Sequence, residues 1–388
     1  MRKLLSILGF LLIVLSVQLI TPEKYHDVSY TWLALHVIHP VQTFLGIKNK
    51  CLSSCFINAS LLEQKLKAGL PLWAAQQINN DLQSFSTLTS TALDNYFTQN
   101  TNAHNQLVHI KIRNKKIKLI KSPIIKYPGA LEIIIDVIQY LAKNNLIPDT
   151  DFILGLEDYL IANTIVNQSI PLFTFAKDIA RPIEKNFILV PDWMNIIQAF
   201  INREFAEKNT TYYAWHEKKP ILFWRGGMLD STGFRSKLVN YASQVPHRID
   251  AKFAVAPNHN SNTNNITSNY VPLPAQLAYR YFISIDGKRC TWDRLVWQLQ
   301  SNSLVFKPES SQIQWFYGGI KAERHYLSIK SLNDILPTID WAELHPTEVQ
   351  TIIQNANRFA RENLQLEDFY LYYLVLLQAY SKKLILNS

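Results

Sequence analysis

Residues 279–294 read Tyr-Arg-Tyr-Phe-Ile-Ser-Ile-Asp-Gly-Lys-Arg-Cys-Thr-Trp-Asp-Arg, and few folds accommodate that order. Phe282, Ile283 and Ile285 form a short apolar strand that runs into Asp286-Gly287. Glycine permits a tight turn that a Cβ would resist. Thr291 stands where a helix N-cap belongs, and Leu295, Val296 and Leu299 supply an apolar helix face. A strand, a glycine turn, a hydroxyl cap and a helix with Arg294 in its first turn make the unit with which α/β proteins hold phosphate. The helix N-terminus offers unsatisfied N–H groups, and the arginine adds a bidentate fork. Upstream, Ile221-Leu-Phe-Trp-Arg-Gly-Gly227 repeats the strand-into-glycine design. Two such units predict a nucleotide-diphosphate ligand.

The chain has 388 residues, too many for one ordinary core, so two domains are expected. With 48% hydrophobic and 18% charged residues it is globular, not disordered. Its net charge of +9 suits an anionic partner. Nucleic acid is not the expected one, because the richest basic stretch, Arg113 to Lys121, alternates with apolar residues as an edge strand does. The three cysteines, Cys51, Cys55 and Cys290, make neither a disulfide framework nor a zinc quartet. Cys51 and Cys55 can form a local disulfide in an exported domain.

At the N-terminus, Arg2 and Lys3 precede an uncharged apolar run from Leu4 to Ile20. The reading is a signal anchor or signal peptide over residues 1–21, with the anchor favoured and the body across the membrane. The expected location is membrane-associated, through this segment. Residues 22–60 read as a stem and 61–100 as helical. A hairpin over Val108–Ile125 should turn at Asn114-Lys115, and Leu131–Leu146 should be a helix. Phe152–Leu156, Leu172–Phe175 and Phe187–Val190 read as strands, with a helix from Ile196 to Glu204. Further strands are expected at Ile221–Trp224, Ala251–Ala256, Ser303–Phe306 and Tyr326–Ile329. Further helices are expected at Gly233–Ser243, 310–320, Leu332–Leu336, Pro346–Leu364 and Asp368–Leu386.

These alternations describe two α/β halves with doubly wound sheets. Residues 61–215 would be the first domain and 216–366 the second, which carries the Gly and Arg motifs. Residues 367–388 would be a C-terminal helix packing back on the first half. Ligands in such sheets bind beyond the carboxyl ends of the strands. Asp158 and Asp192 fall there in the first half, and the Gly and Arg motifs in the second.

Trp224-Arg-Gly226, Arg235, Tyr279-x-Tyr281, Asp286-Gly287, Thr291, Arg294, Ser301-x-Ser303-Leu-Val-Phe306, Trp315-Phe316-Tyr317 and His325-Tyr326 occur in that order. In order and spacing they resemble the family-90 glycosyltransferases over about residues 150 to 385. The resemblance implies a GT-B-like fold of two Rossmann-like domains facing a cleft, here with an N-terminal hydrophobic anchor helix. It implies a UDP-sugar donor, inversion at the anomeric carbon, and neither metal nor cofactor. By position it makes Asp158 the catalytic base and puts Arg225 and Arg294 on the diphosphate. Gly226, Gly287, Thr291 and Trp292 would form turn and cap, with Arg235 and Asp286 beside the donor. Glu157 stands where relatives often have Arg, and Tyr159 lacks the Pro that follows it in animal relatives.

Inverting transfer needs one carboxylate to deprotonate the acceptor and positive charge to stabilise departing UDP. The expected reaction moves glucose or xylose from a UDP-sugar to a hydroxyl of a cell-surface glycan such as lipopolysaccharide. The rival reading is a membrane-tethered glycan-binding or scaffold protein. Each residue also has a plainer role. Asp158 could cap a helix, Asp192, the runner-up base, could start one, and Arg225 could be a structural ion-pair partner. Asp286 could cap its own turn, and Trp315, Phe316 and Tyr317 could be core. Lys307 and His325 are further cleft candidates.

Overall fold

A computed structural model describes residues 52–101, 106–157, 170–201, 213–254, 266–268 and 271–386. The anchor at 1–21, most of the stem, Cys51, Asp158 and Tyr159 lie outside them.

The region expected to be helical, 61–100, holds three helices: Ala59–Ala68, Leu72–Leu82 and Ser90–Asn100. Gly69, at φ 79°, closes the first, a left-handed position that glycine takes without a Cβ clash. The short strand β1 (Leu88–Thr89) precedes the third. β2 (Leu107–Arg113) and β3 (Lys116–Lys121) form the expected hairpin. Asn114 (φ 48°) and Lys115 (φ 64°) are both left-handed, as a two-residue turn matched to strand twist requires.

β4 (Thr150–Gly155), β5 (Leu172–Thr174), β6 (Lys177–Asp178) and β7 (Phe187–Leu189) complete the first half. Its main sheet runs β3-β2-β4-β5-β7. The fully doubly wound sheet expected here is corrected: β2 is antiparallel to both neighbours, and only β4, β5 and β7 run parallel. Alternating apolar residues mark a strand but not the direction of its neighbour.

The second half contains β8 (Lys219–Gly226), β9 (Ile249–Ala254), β10 (Thr267–Ser268), β11 (Tyr279–Ile283), β12 (Leu304–Pro308), β13 (Gln312–Ile313) and β14 (Leu327–Ile329). Its sheet, β10-β9-β8-β11-β12-β14, is parallel throughout. Counted in chain order, that is 3-2-1-4-5-6, the doubly wound arrangement whose strand order reverses between its first and fourth strands. Here those strands are β8 and β11.

The helix Leu366–Ser381 inserts into the first half's core. Tyr370, Tyr372, Tyr373 and Tyr380 are fully buried along it. Tyr373 Oη donates to the Pro191 carbonyl (2.8 Å) and Tyr380 Oη to that of Asp151 (3.1 Å), so these two rings are buried with their hydroxyls satisfied, whereas Tyr372 Oη is buried without a partner. β15 (Leu384–Ile385) then pairs with β1. A second apolar cluster, built on Leu222, Trp224, Tyr281, Ile283 and Phe306, fills one face of the six-stranded sheet.

Three further expectations are corrected. Residues 310–320 form no helix: Gln312–Ile313 is a strand paired antiparallel with β6, and Tyr317–Gly319 is a single 3-10 turn. Trp315 and Phe316 are buried for packing, and a Cβ on Gly319 would stand 2.5 Å from the Phe359 ring. The N-cap of the helix Asp293–Gln298 is Trp292 rather than Thr291, whose hydroxyl instead accepts from Ser284 Oγ (3.1 Å). The membrane-associated location is withdrawn, because among the described residues no helix is long and apolar enough to cross a membrane. Cys55 is disulfide-bonded, and Cys290 is free and buried.

Candidate active site

The two glycine motifs end β8 and β11, so the sheet's reversal point lies between them. Trp224 points into the second core, 1% exposed. Its indole fills the place of a side chain at 226: a Cβ on Gly226 would fall 2.6 Å from Trp224 Cζ2. The Arg235 and Arg294 guanidiniums both lie over this ring, at 5.6 and 5.8 Å from its centre. Cations over an indole face are held by the ring's quadrupole. One tryptophan thus gathers two of the predicted arginines at the reversal point.

Arg235 is occupied by its own half. Its Nε donates to the Asp286 carbonyl (3.0 Å) and its Nη2 to that of Ile285 (3.0 Å). Nη1 donates to the carbonyls of Gly227 (3.1 Å) and Leu229 (3.2 Å). The guanidinium therefore staples the loop after β8 to the turn after β11. Ser231 adds a second tie, its N–H donating to the Gly287 carbonyl at 3.1 Å. Asp230 shapes the loop by accepting from the backbone N–H groups of Gly233 and Arg235. Burial lowers the pKa of Arg235, against the raising effect of Asp230 and Asp286.

Asp286 stands at the turn with both carboxylate oxygens buried beside Lys307 and the Ser310 hydroxyl. Burial raises its pKa, while Lys307, the Ser310 hydroxyl and Arg235 pull it down from nearby. Gly287 passes close to Arg235, and Thr291 is buried at the base of the turn. Trp292 adopts φ 57°, ψ −130°, a conformation that a residue with a side chain takes only at a cost of roughly 1–3 kcal/mol. That bend starts the helix carrying Arg294. Lys307 is buried with its Nζ 5.0 Å above the Tyr317 ring centre. His325 Nδ1 accepts from the Lys321 N–H (2.9 Å), and burial lowers its pKa.

Arg225 alternates to the other face of β8. It makes a paired contact with Asp250, Nη2 lying 2.8 Å from Oδ1 and 2.9 Å from Oδ2, and stacks over Phe223. Tyr279 Oη reaches the same carboxylate at 3.3 Å. Arg225 therefore takes the ion-pair role, apart from the cluster on Trp224. Asp192 takes the cap role: fully buried, it accepts from the Asn195 N–H (2.9 Å), the Asn195 side-chain amide and Gln314 Nε2 (3.0 Å). Glu157 pairs with Lys126 and accepts from Gln106.

The chain's Asp-x-Asp triplet, Asp149-Thr-Asp151, is occupied in the first half. Asp149 accepts from the Asn114 N–H (2.9 Å), and buried Asp151 pairs with His109 and Arg113. Among the described residues, no group of three or more His, Cys, Asp or Glu is placed to hold a metal ion. Sequence reading passed over Trp224 as an organiser and Asp230 as a loop cap. The tryptophan had a signal in its place directly before Arg225-Gly226.

The family model described as Glycosyl transferase family 90 matches residues 74–388. Protein O-glucosyltransferase 2 of Danio rerio is 26% identical over 319 residues, covering 79% of this chain and 61% of that protein. Protein O-glucosyltransferase 3 of Mus musculus is 25% identical over 258 residues, 64% of this chain and 50% of that one. The chain thus spans half to three-fifths of these relatives. Among solved structures, a glycosyltransferase from Rickettsia africae ESF-5 aligns at TM-score 0.36 and 13% identity, covering 55% of this chain and 64% of that one. A likeness of that size has no bearing on function.

Proposed function

The chain belongs to glycosyl transferase family 90, and from that premise we propose an inverting, metal-independent glycosyltransferase that uses a UDP-sugar. The transferred sugar is glucose or xylose, and the acceptor is a hydroxyl of a cell-surface glycan of the lipopolysaccharide type. The relatives' name, protein O-glucosyltransferase, supports glucose first. The net charge of +9 supports an anionic acceptor.

The observation that carries the reading is the pair of arginines on Trp224 beside the buried Asp286, at the reversal point of a 3-2-1-4-5-6 sheet. Arg294 meets the diphosphate, and Asp286 accepts from a donor hydroxyl. Arg235 and Gly287 hold the turn in shape, and Gly226, Thr291 and Trp292 hold its base. Arg225 supports β8 through Asp250. Asp158 takes the acceptor proton as the acceptor oxygen bonds to the anomeric carbon from the side opposite UDP. The bond from that carbon to the β-phosphate oxygen breaks, and the charge left on UDP falls towards Arg294.

The test is UDP release by the full chain, screened over UDP-glucose, UDP-xylose, UDP-galactose and N-acetylated UDP-sugars, with and without EDTA. EDTA-resistant hydrolysis of one donor, lost in Arg294→Ala, is the expected result. No hydrolysis and no thermal shift with any UDP-sugar would sink the reading in favour of a binding protein. Transfer to a protein hydroxyl but to no glycan would overturn the acceptor.

A further inference from the structure

Two residues past Gly287, Arg289 leaves its own sheet and reaches the other half. It is 2% exposed, and its fork closes on Glu184: Nη2 to Oε1 at 2.7 Å and Nη1 to Oε2 at 3.0 Å. Nη1 also donates to Gln312 Oε1 (3.1 Å). Glu184 is buried in the 3-10 turn Pro182–Asn186, which leads into β7. The same carboxylate accepts from the Asp178 N–H (2.7 Å) and lies 3.0 Å from Arg181 Nη1. Gln312 Nε2 donates to Asp178 Oδ2 (2.9 Å), and its strand β13 pairs with β6. One buried carboxylate from the first half thus receives the arginine that ends the second half's donor turn.

The turn is therefore held from two sides. Arg235 and Ser231 grip Ile285, Asp286 and Gly287 from within the parallel sheet. Arg289 anchors the turn's other end across the junction. A buried ion pair contributes little net stability compared with an apolar replacement, but loss of one partner leaves an uncompensated buried charge. What such a pair supplies is geometry, through two parallel charge-assisted bonds of fixed orientation.

We propose that Glu184 is a positioning residue for sugar-nucleotide binding: through Arg289 it sets the Asp286–Gly287 turn against the ends of β8 and β11. On this view the first half completes the donor site, which the second half does not build alone. The inference rests on the UDP-sugar reading above. Neither Glu184 nor Arg289 needs to touch the ligand.

The experiment uses the full chain and, beside the melting temperature Tm, two readouts: UDP affinity by calorimetry, and hydrogen exchange of segment 284–291 in the unliganded protein. Glu184→Gln removes the charge and keeps the shape. Arg289→Lys keeps the charge and removes the fork. Gln312→Met removes one tie without orphaning a buried charge, so it remains informative should the first two fold poorly. Lys65→Met is the control, breaking the distant ion pair with Asp368. Glu184→Gln and Arg289→Lys should each weaken UDP about tenfold, equivalent to about 1.4 kcal/mol, and speed exchange in 284–291. Gln312→Met should shift both readouts the same way by less, and Lys65→Met should lower Tm alone. Wild-type affinity and wild-type exchange in Glu184→Gln and Arg289→Lys, with Tm lowered as in the control, would overturn the proposal. A wild-type chain that binds no UDP would sink the sugar-nucleotide reading. The positioning claim would then fall if exchange in 284–291 is unmoved by Glu184→Gln.

Discussion

A β-carbon on Gly287 would stand 3.1 Å from Nη2 of Arg235, and that guanidinium has no room to retreat. It is tied to the carbonyls of Gly227, Leu229, Ile285 and Asp286. Gly287→Ala should therefore strain the staple instead of displacing it. The expected cost is about 1–2 kcal/mol of stability, with weaker UDP binding. Chemical denaturation checks the first part, and an unchanged midpoint would show that the turn can yield.

Arg235 and Arg294 share one tryptophan but should separate in experiment. Arg235→Ala leaves four carbonyls without their donor, so stability should fall by roughly 2–4 kcal/mol. Arg294→Ala should lower the melting temperature less than Arg235→Ala does and abolish hydrolysis of the UDP-sugar. Thermal melts and UDP-release assays on both variants decide the matter. Full stability in Arg235→Ala would mean that the staple is ornamental and that the arginine is free for ligand.

Gly226 and Gly227 are neighbours with opposite expectations. A methyl at 226 meets the buried Trp224 indole at 2.6 Å, while a methyl at 227 meets nothing within 4 Å. Gly226→Ala should cost about 1–3 kcal/mol through overpacking. Gly227→Ala should stay within about 0.5 kcal/mol of wild type. Equal denaturation midpoints for the two variants would contradict the packing role assigned to Trp224.

Local chemistry was the legible part of this chain. Asn114-Lys115 announces a turn because both residues must turn left-handed between alternating strands. Asp286-Gly287 ahead of an apolar helix face announces a strand, a turn and a helix. Strand direction is not local, which is why the antiparallel pairing of β2 with β4 was missed. The aromatic run at 315–317 looked helical by spacing, yet Gly318-Gly319 and the demand for space beside Phe359 give a 3-10 turn. The roles of the arginines were least legible. Arg225 and Arg235 both follow or face glycine turns, but their partners, Asp250 and the 285–286 carbonyls, lie 25 and 50–51 residues away. The Glu184–Arg289 pair spans 105 residues and left no mark in either segment.

Asp192 should make stability depend on pH in a direction opposite to that of an ordinary surface carboxylate. Burial, and secondarily the Asp293 charge, push its pKa up to about 7 from 3.8. Three hydrogen bonds to the carboxylate oppose the rise but do not cancel it. Because the folded pKa is raised, between about pH 4 and 7 the folded state holds a proton that the unfolded chain has already given up. The stabilising contribution is therefore full below the unfolded value and is lost as pH rises through about 7. Its upper bound is about 4 kcal/mol, from the gap of about three pKa units. Asp192→Asn should remove this slope. The Asn195 Oδ1 and Gln314 Oε1 atoms, buried and without partners, can turn to accept from the new amide. Denaturation curves of both proteins at pH 5 and pH 8 measure the difference directly. The wild type should lose more stability than the variant between those values, and parallel losses would show that Asp192 is already ionised throughout.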